Sequence, residues 1–121
     1  MKYPITPIGK PRMTQRDKWK KRDAVQRYYA FKDHANLLRI KIPESNAHII
    51  FHVPMPKSWS HKKRDAMRGQ PHQSRPDVDN FTKALLDSLF AEDSNIWDIR
   101  TTKLWSDDGA IEVIADKEVA A

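Results

Sequence analysis

The sequence contains no cysteine among its 121 residues, which excludes disulfide bonds, thiolate zinc sites and cysteine nucleophiles. It has only three glycines, and no apolar run approaches the roughly 18 residues of a membrane-spanning helix. The residues after Met1 also lack the apolar stretch of a secretory signal. From these absences we expect one cytoplasmic domain, residues 1–121, built around a modest hydrophobic core.

Basic residues are abundant and unevenly placed. There are 22 Lys and Arg against 16 Asp and Glu, a net charge of +6 and a pI near 9.7, as is typical of nucleic-acid binders. Between positions 10 and 22, seven basic residues accompany a single acid, Asp17. Between Asp77 and Asp98 the balance is reversed, with six acids against Lys83. Acids gathered in a basic protein favour a hydrolase that holds a divalent cation against a phosphate.

The hydrophobic pattern predicts the order β-α-β-loop-α-β-β. Strands are predicted over 3–8, 47–55, 96–105 and 110–115, helices over 17–38 and 80–90, and a short helix near 62–68 within the loop. The Asp-Gly turn at 106–109 is typical of a β-hairpin. Together these elements predict an α+β two-layer sandwich, in which helices pack mainly on one face of a mixed four-stranded sheet.

The stretch from Arg75 to Asp87 contains the strongest chemical pattern. If the chain stays extended to Asp79, then Asp77 and Asp79 project to the same side, and a helix begins at once with Asp79 or Asn80 as its cap. Lys83 follows one helical turn later and then points back toward the two aspartates. A purely structural interpretation stays open, in which Asp79 is a helix cap and Lys83 pairs with Asp87 on the surface.

A second acidic element, Glu92-Asp93, follows the predicted helix. Acids at a helix C-terminus oppose the helix dipole, so their presence calls for a reason. A helix of about eleven residues is about 16 Å long, so Asp93 meets Asp77 only if the next strand folds back.

The run RPDVDNFTKALLDSL at 75–89, followed by EDSNI at 92–96, resembles the signature of the phage-type RusA family of Holliday junction resolvases. That signature reads D-x-D-N-x-x-K-A-x-x-D-x-L and then an acidic pair before an apolar strand. The matching polar positions are Asp77, Asp79, Asn80, Lys83, Asp87 and Asp93. Glu92 departs from the family, which often has Asp there, and Ala91 replaces a frequent aromatic or basic residue.

The resemblance implies that Asp77, Asp79 and Asp93 bind metal, with Lys83 as a further catalytic residue and Asn80 and Asp87 in support. Hard oxygen ligands favour Mg²⁺, and either one ion or two would fit. The resemblance also implies a homodimer that resolves four-way DNA junctions by paired, symmetric phosphodiester hydrolysis in recombination and repair.

Basic residues are the expected contacts to the DNA backbone. They are Lys10, Arg12, Arg16, Lys62, Lys63, Arg64 and Arg75, with Arg100 and Lys103 as further candidates. Trp59 and Trp19 either stack on unpaired bases or are partly buried, and Trp97 and Trp105 are expected in the core or a dimer interface.

Two alternatives to a resolvase stay open. A nuclease that prefers flaps or forks would use the same residues, so only a comparison of substrates separates it. A non-catalytic protein that binds branched DNA or RNA would keep the basic residues but would not need the three aspartates.

Overall fold

The computed structural model describes residues 1–12 and 23–115. Its elements are β1 (Lys2–Tyr3), α1 (Asp23–Leu37), β2 (Ala47–Pro54), α2 (His61–Met67), α3 (Val78–Leu89), β3 (Ile99–Ser106) and β4 (Ala110–Ala115). The predicted α+β class with a mixed four-stranded sheet is confirmed. The predicted beginning of α1 at Asp17, together with Arg16 and Trp19, lies outside the described residues. No helix in the described ranges is long and apolar enough to cross a membrane.

The sheet has the order β1-β4-β2-β3, with β2 parallel to β3 and antiparallel to β4. The hairpin predicted from the Asp-Gly turn is therefore wrong, because β3 and β4 lie on opposite sides of β2. The turn at 107–109 passes the end of β2, where Met55 N donates to Ser106 O at 2.9 Å. Ile49 and Phe51 of β2 are fully buried, and the central position protects this apolar strand on both edges.

The first strand is shorter than predicted. The strand comprises Lys2 and Tyr3, with Met1 also hydrogen-bonded to Val113 of β4, whereas the prediction extended to Ile8. Pro4 and Pro7 lack the amide hydrogen that a strand donates to its neighbour, so the pairing stops at the first of them. The chain continues without strand pairing to Arg12.

Helices α1 and α3 supply the apolar side chains that cover the sheet. Phe31 and Ala35 of α1 and Phe81 and Leu85 of α3 are buried in one core cluster with Phe51. The rings of Phe51 and Phe81 stack with centroids 5.4 Å apart. Burying one such side chain contributes about 1.5–3 kcal/mol, so this packing holds α3 firmly on the sheet.

Candidate active site

Helix α3 begins at Val78, two residues earlier than the sequence pattern suggested. Asp77 is the N-cap, with an extended backbone, and its carbonyl accepts hydrogen bonds from the amides of Asn80 and Phe81 at 3.0 and 3.1 Å. The predicted extended segment through Asp79 and the predicted caps Asp79 and Asn80 are therefore wrong. The ring of Phe81 stacks on that of Phe51 in the core. The helical residues 78–80 precede Phe81 and orient its side chain toward the core. Both aspartates thus belong to the start of a helix.

The carboxylates of Asp77 and Asp79 are exposed and unpartnered. Within residues 1–12 and 23–115, neither accepts a hydrogen bond or forms an ion pair, and the Asp77 side chain does not cap the helix. Lys83 lies one turn after Asp79, and its exposed ammonium also has no partner in that part of the chain. Free carboxylates are hard oxygen donors, so the chemistry of this pair fits a divalent cation.

Asp93 lies in the loop between α3 and β3. Its side chain is half-buried, and its carbonyl accepts a hydrogen bond from Ile96 N at 3.0 Å. Across the ranges that the structure describes, no three His, Asp or Glu side chains form a group that could hold a metal ion. Asp77 and Asp79 therefore share the first turn of α3, whereas a site that also includes Asp93 stays a prediction.

Asp87, predicted as a supporting residue, forms an ion pair with Lys10. Lys10 Nζ lies 2.6 Å from Asp87 Oδ2, and this hydrogen bond raises the pKa of Lys10. The structural alternative of a surface pair between Lys83 and Asp87 is therefore wrong. Lys10 thereby fastens the N-terminal segment to α3, and its contact with DNA stays a prediction.

Asn80 packs against the same N-terminal segment. A Cβ atom added to Gly9 would lie 2.6 Å from Asn80 Nδ2 and 2.9 Å from Pro76 Cβ. Only glycine allows this close approach of the backbone to the start of α3. Gly9 therefore belongs to the surroundings of the site, and no pattern in the sequence pointed to it.

The segment after α2 runs along the outer edge of β3. Gly69 N donates to Trp105 O, Trp105 N to Gln70 O and His72 N to Lys103 O, at 2.9, 2.9 and 3.1 Å. The Lys103 ammonium then donates to the carbonyls of Ser74 and Pro76 at 2.6 and 2.7 Å. Lys103 was a candidate phosphate contact, but in the structure it binds the segment that leads into Asp77.

Aromatic rings attach the α2 region to the sheet. Trp59 lies 4.8 Å from Trp105 between ring centroids, and the Lys63 ammonium lies 4.3 Å from the centre of the Trp59 ring. Trp59 is half-buried, which confirms the second of its two interpretations. Trp105 is buried, as expected, whereas Trp97 is 74% exposed and the expectation of a core position is wrong.

His72 lies beneath the same aromatic group. Its ring centroid is 4.3 Å from that of Trp105, and its side chain is almost completely buried. Burial lowers the pKa of His72, and the charge of Lys103 lowers it further. Its Nδ1 atom has no hydrogen-bond partner among the described residues.

The other predicted DNA contacts lie on exposed or half-buried parts of the loop. Lys62 and Arg75 are exposed, and Arg64 Nη2 donates to Pro56 O at 2.9 Å, which fixes α2 to the preceding turn. Ser60 caps α2 through a hydrogen bond from Lys63 N, and Gly69 follows the helix with φ of +81°. The helix predicted near 62–68 is thereby confirmed.

Fold and site together define a small, basic α+β protein with exposed oxygen donors and an exposed lysine near the start of one helix, a combination suited to phosphate chemistry. The family model described as endodeoxyribonuclease RusA matches residues 4–115, nearly the whole chain. The chain belongs to this family, and the resemblance noted in its sequence is confirmed. RusA proteins are endodeoxyribonucleases that resolve Holliday junctions and are generally dependent on divalent metals.

A curated relative comes from Bacillus subtilis (strain 168), where it is named uncharacterized protein YqaN. It is 33% identical to this chain over 76 residues, which are 56% of this chain and 53% of the relative. The chain therefore spans about half of that protein's length. No solved structure matches this chain.

Proposed function

We propose that this protein is a Mg²⁺-dependent endonuclease that resolves four-way DNA junctions by paired, symmetric phosphodiester hydrolysis. It would act as a homodimer in DNA recombination and repair. The observation that carries the proposal is the pair of exposed carboxylates, Asp77 and Asp79, with the exposed ammonium of Lys83 one turn further along α3. None of the three has a partner among residues 1–12 and 23–115. Membership of the RusA family supports the reaction and the substrate.

The proposed metal ligands are Asp77, Asp79 and Asp93. Carboxylate oxygens are the ligands that Mg²⁺ prefers, and exposed acids at a helix N-terminus are favoured by the helix dipole even without a cation. When bound, the ion supplies a water of lowered pKa and neutralises charge on the scissile phosphate.

Lys83 is proposed to stabilise negative charge on the phosphate as it reacts. A lysine ammonium is a compact point charge on a flexible stem, which suits a phosphate oxygen. Asp87 lies one turn beyond Lys83 on α3, but it is paired with Lys10. The Lys10–Asp87 pair therefore leaves the charge of Lys83 available for the substrate.

The basic residues are proposed to position the DNA backbone. Lys62 on α2 and Arg75 beside the acidic pair are exposed, and contacts of this kind orient the substrate without reading its sequence. The proposed set is Lys10, Arg12, Arg16, Lys62, Lys63, Arg64 and Arg75. A four-way junction has approximate two-fold symmetry, and a C2 dimer would present two identical sites to it.

The test is nicking of a synthetic four-way junction with each strand labelled in turn, with and without Mg²⁺. Linear duplex and flap substrates are run in parallel. Asp79→Asn should abolish cutting and keep junction binding, whereas Asp108→Asn, which removes an equal charge from the exposed β3–β4 turn, should leave both unchanged.

The outcomes separate the three candidate functions. Paired Mg²⁺-dependent nicks that disappear in Asp79→Asn support a resolvase. Equal cutting of flaps indicates a general branch nuclease, and binding without cutting by the unmodified protein indicates a non-catalytic DNA-binding protein. Calorimetric titration of Mg²⁺ into Asp77→Asn, Asp79→Asn and Asp93→Asn tests the ligand set separately from cutting.

A further inference from the structure

Lys103 is the residue through which β3 holds the chain that enters the site. Its ammonium donates to the carbonyls of Ser74 and Pro76 at 2.6 and 2.7 Å, and Pro76 immediately precedes Asp77. We propose that Lys103 is a positioning residue, which sets the place of the Asp77 and Asp79 carboxylates by clamping the 74–76 segment to β3. This inference rests on the proposed nuclease function.

The clamp, meaning the two hydrogen bonds from Lys103 Nζ to the carbonyls of Ser74 and Pro76, begins where the backbone pairing ends. The pairing along β3 stops at His72, whose amide donates to Lys103 O, and within the described residues no backbone hydrogen bond joins 73–76 to the sheet. Beyond this point the segment is bound to β3 by the hydrogen bonds from the Lys103 ammonium. It has three donors and a full charge, and hydrogen bonds from a charged donor are stronger than those between neutral groups.

Lys103 lies on β3, which pairs along its whole length with the central strand β2. It lies opposite Phe51 in the parallel pairing of β2 and β3, and Phe51 is fully buried. Pro76 is in turn packed close to Gly9. Through Lys103, the carbonyls of Ser74 and Pro76 are connected to the paired strands β2 and β3. Loss of the ammonium would therefore free the segment directly before the N-cap of α3.

A positioning role and a phosphate contact predict different effects of removing Lys103 on DNA affinity and on the cutting rate. A lysine that binds a phosphate contributes to affinity, and its removal lowers the slope of log affinity against log salt by about 0.9. A lysine that places catalytic carboxylates affects the rate of the bound complex, because a misplacement of about 1 Å can reduce the rate by about 100-fold. Binding and cutting must therefore be measured separately.

The experiment compares Lys103→Met, which keeps the length of the side chain but removes the donors, with Lys41→Met. Lys41 is an exposed lysine between α1 and β2, outside the proposed DNA contacts, and its replacement removes the same charge. Amide hydrogen exchange is measured in the free protein for His72, Asn80 and Phe81, whose hydrogen-bonded amides flank the 74–76 segment, together with junction affinity and single-turnover cutting. In Lys103→Met we expect exchange to rise and cutting to fall by at least about tenfold, with affinity changed by no more than about twofold.

Lys103→Arg keeps the charge and the donors and should retain the slow exchange of these amides. Lys41→Met should leave both exchange and single-turnover cutting unchanged. Unchanged exchange in Lys103→Met would overturn the proposal. So would a loss of affinity with a lower salt slope and an unchanged cutting rate, which is the behaviour of a phosphate contact.

Two further measurements apply if the variant does not fold or if the protein cuts no junction. If Lys103→Met does not fold, acylation of the unmodified protein by an amine reagent replaces it, and the held ammonium of Lys103 should react at least about tenfold more slowly than that of exposed Lys62. Equal reactivity contradicts the clamp. If the unmodified protein cuts no junction, the proposed function fails, whereas the exchange measurement still decides whether Lys103 holds the segment.

Discussion

Lys10 and Asp87 are 77 positions apart in the chain, and their Nζ and Oδ2 atoms are 2.6 Å apart in the structure. The two side chains are 28% and 30% exposed, so water screens the pair only in part. The contact fastens the N-terminal segment to α3 on the polar side of the helix. It also keeps Asp87 away from Lys83, whose charge the proposed reaction requires.

Asp87→Asn should lower the free energy of unfolding by about 1 kcal/mol, because Lys10 loses its charged partner. Urea unfolding of Asp87→Asn, Lys10→Met and the double variant measures the coupling. The double variant should lose clearly less than the sum of the single losses, and additive losses would contradict the pairing. Since Asp87 raises the pKa of Lys10, this stabilisation is complete below pH 10.5 and is lost as the pH rises through the raised value.

His72 should make the protein less stable in mild acid. Its pKa is lowered in the folded state by burial, so below its ordinary pKa of 6.5 the unfolded chain binds a proton that the folded chain does not. The free energy of unfolding should therefore fall as the pH drops from 7.5 toward the lowered pKa, by up to about 1.4 kcal/mol per pH unit from this residue. Urea unfolding between about pH 5 and 8, the range in which histidine changes its charge, measures the effect.

The control for His72 is a pair of variants. His72→Phe should flatten the pH dependence, because an uncharged ring replaces the buried imidazole against Trp105. His61→Gln, which alters an exposed histidine at the start of α2, should leave it unchanged. An equal pH dependence in His72→Phe and the unmodified protein would show that His72 is not its source.

Gly9→Ala should weaken the attachment of the N-terminal segment to α3. The added methyl group would lie 2.6 Å from Asn80 Nδ2 and 2.9 Å from Pro76 Cβ, so either the segment or the side chains must move. We expect a loss of about 1–3 kcal/mol in the free energy of unfolding, as for other overpacked sites. Thermal unfolding measures it, and Ala24→Gly, a substitution near the start of α1, shows the size of an ordinary helix effect. Unchanged stability of Gly9→Ala would contradict the close packing.

Lys62→Ala should weaken junction binding without changing the rate at which bound junction is cut. The side chain is exposed on α2, and loss of one phosphate contact should reduce the salt slope by about 0.9. Fluorescence titrations at several salt concentrations measure this. Lys41→Ala, which alters an exposed lysine between α1 and β2, is the matched control, and an equal effect of the two variants would contradict a specific role for α2.

Much of the fold could be predicted because the relevant signals are local. The pattern of apolar residues predicted β4 at 110–115 and located β2, α2 and α3 to within about two residues, the usual uncertainty of element ends. The bounds of α3 were less accurate at its beginning, where Asp77, Asp79 and Asn80 are all good caps. Only the packing of Phe81 on Phe51 decided which of them the helix uses.

The sequence by itself determined the α+β class, the membership of the RusA family and the residues proposed to act on DNA, since composition, periodicity and motif spacing are written along the chain. The tertiary structure decided that β2 separates β3 from β4, that Lys10 binds Asp87, and that Lys103 holds the carbonyls of Ser74 and Pro76. Such contacts join residues that are distant in the chain. Their partners are selected by how the sheet and helices pack, which no local pattern specifies.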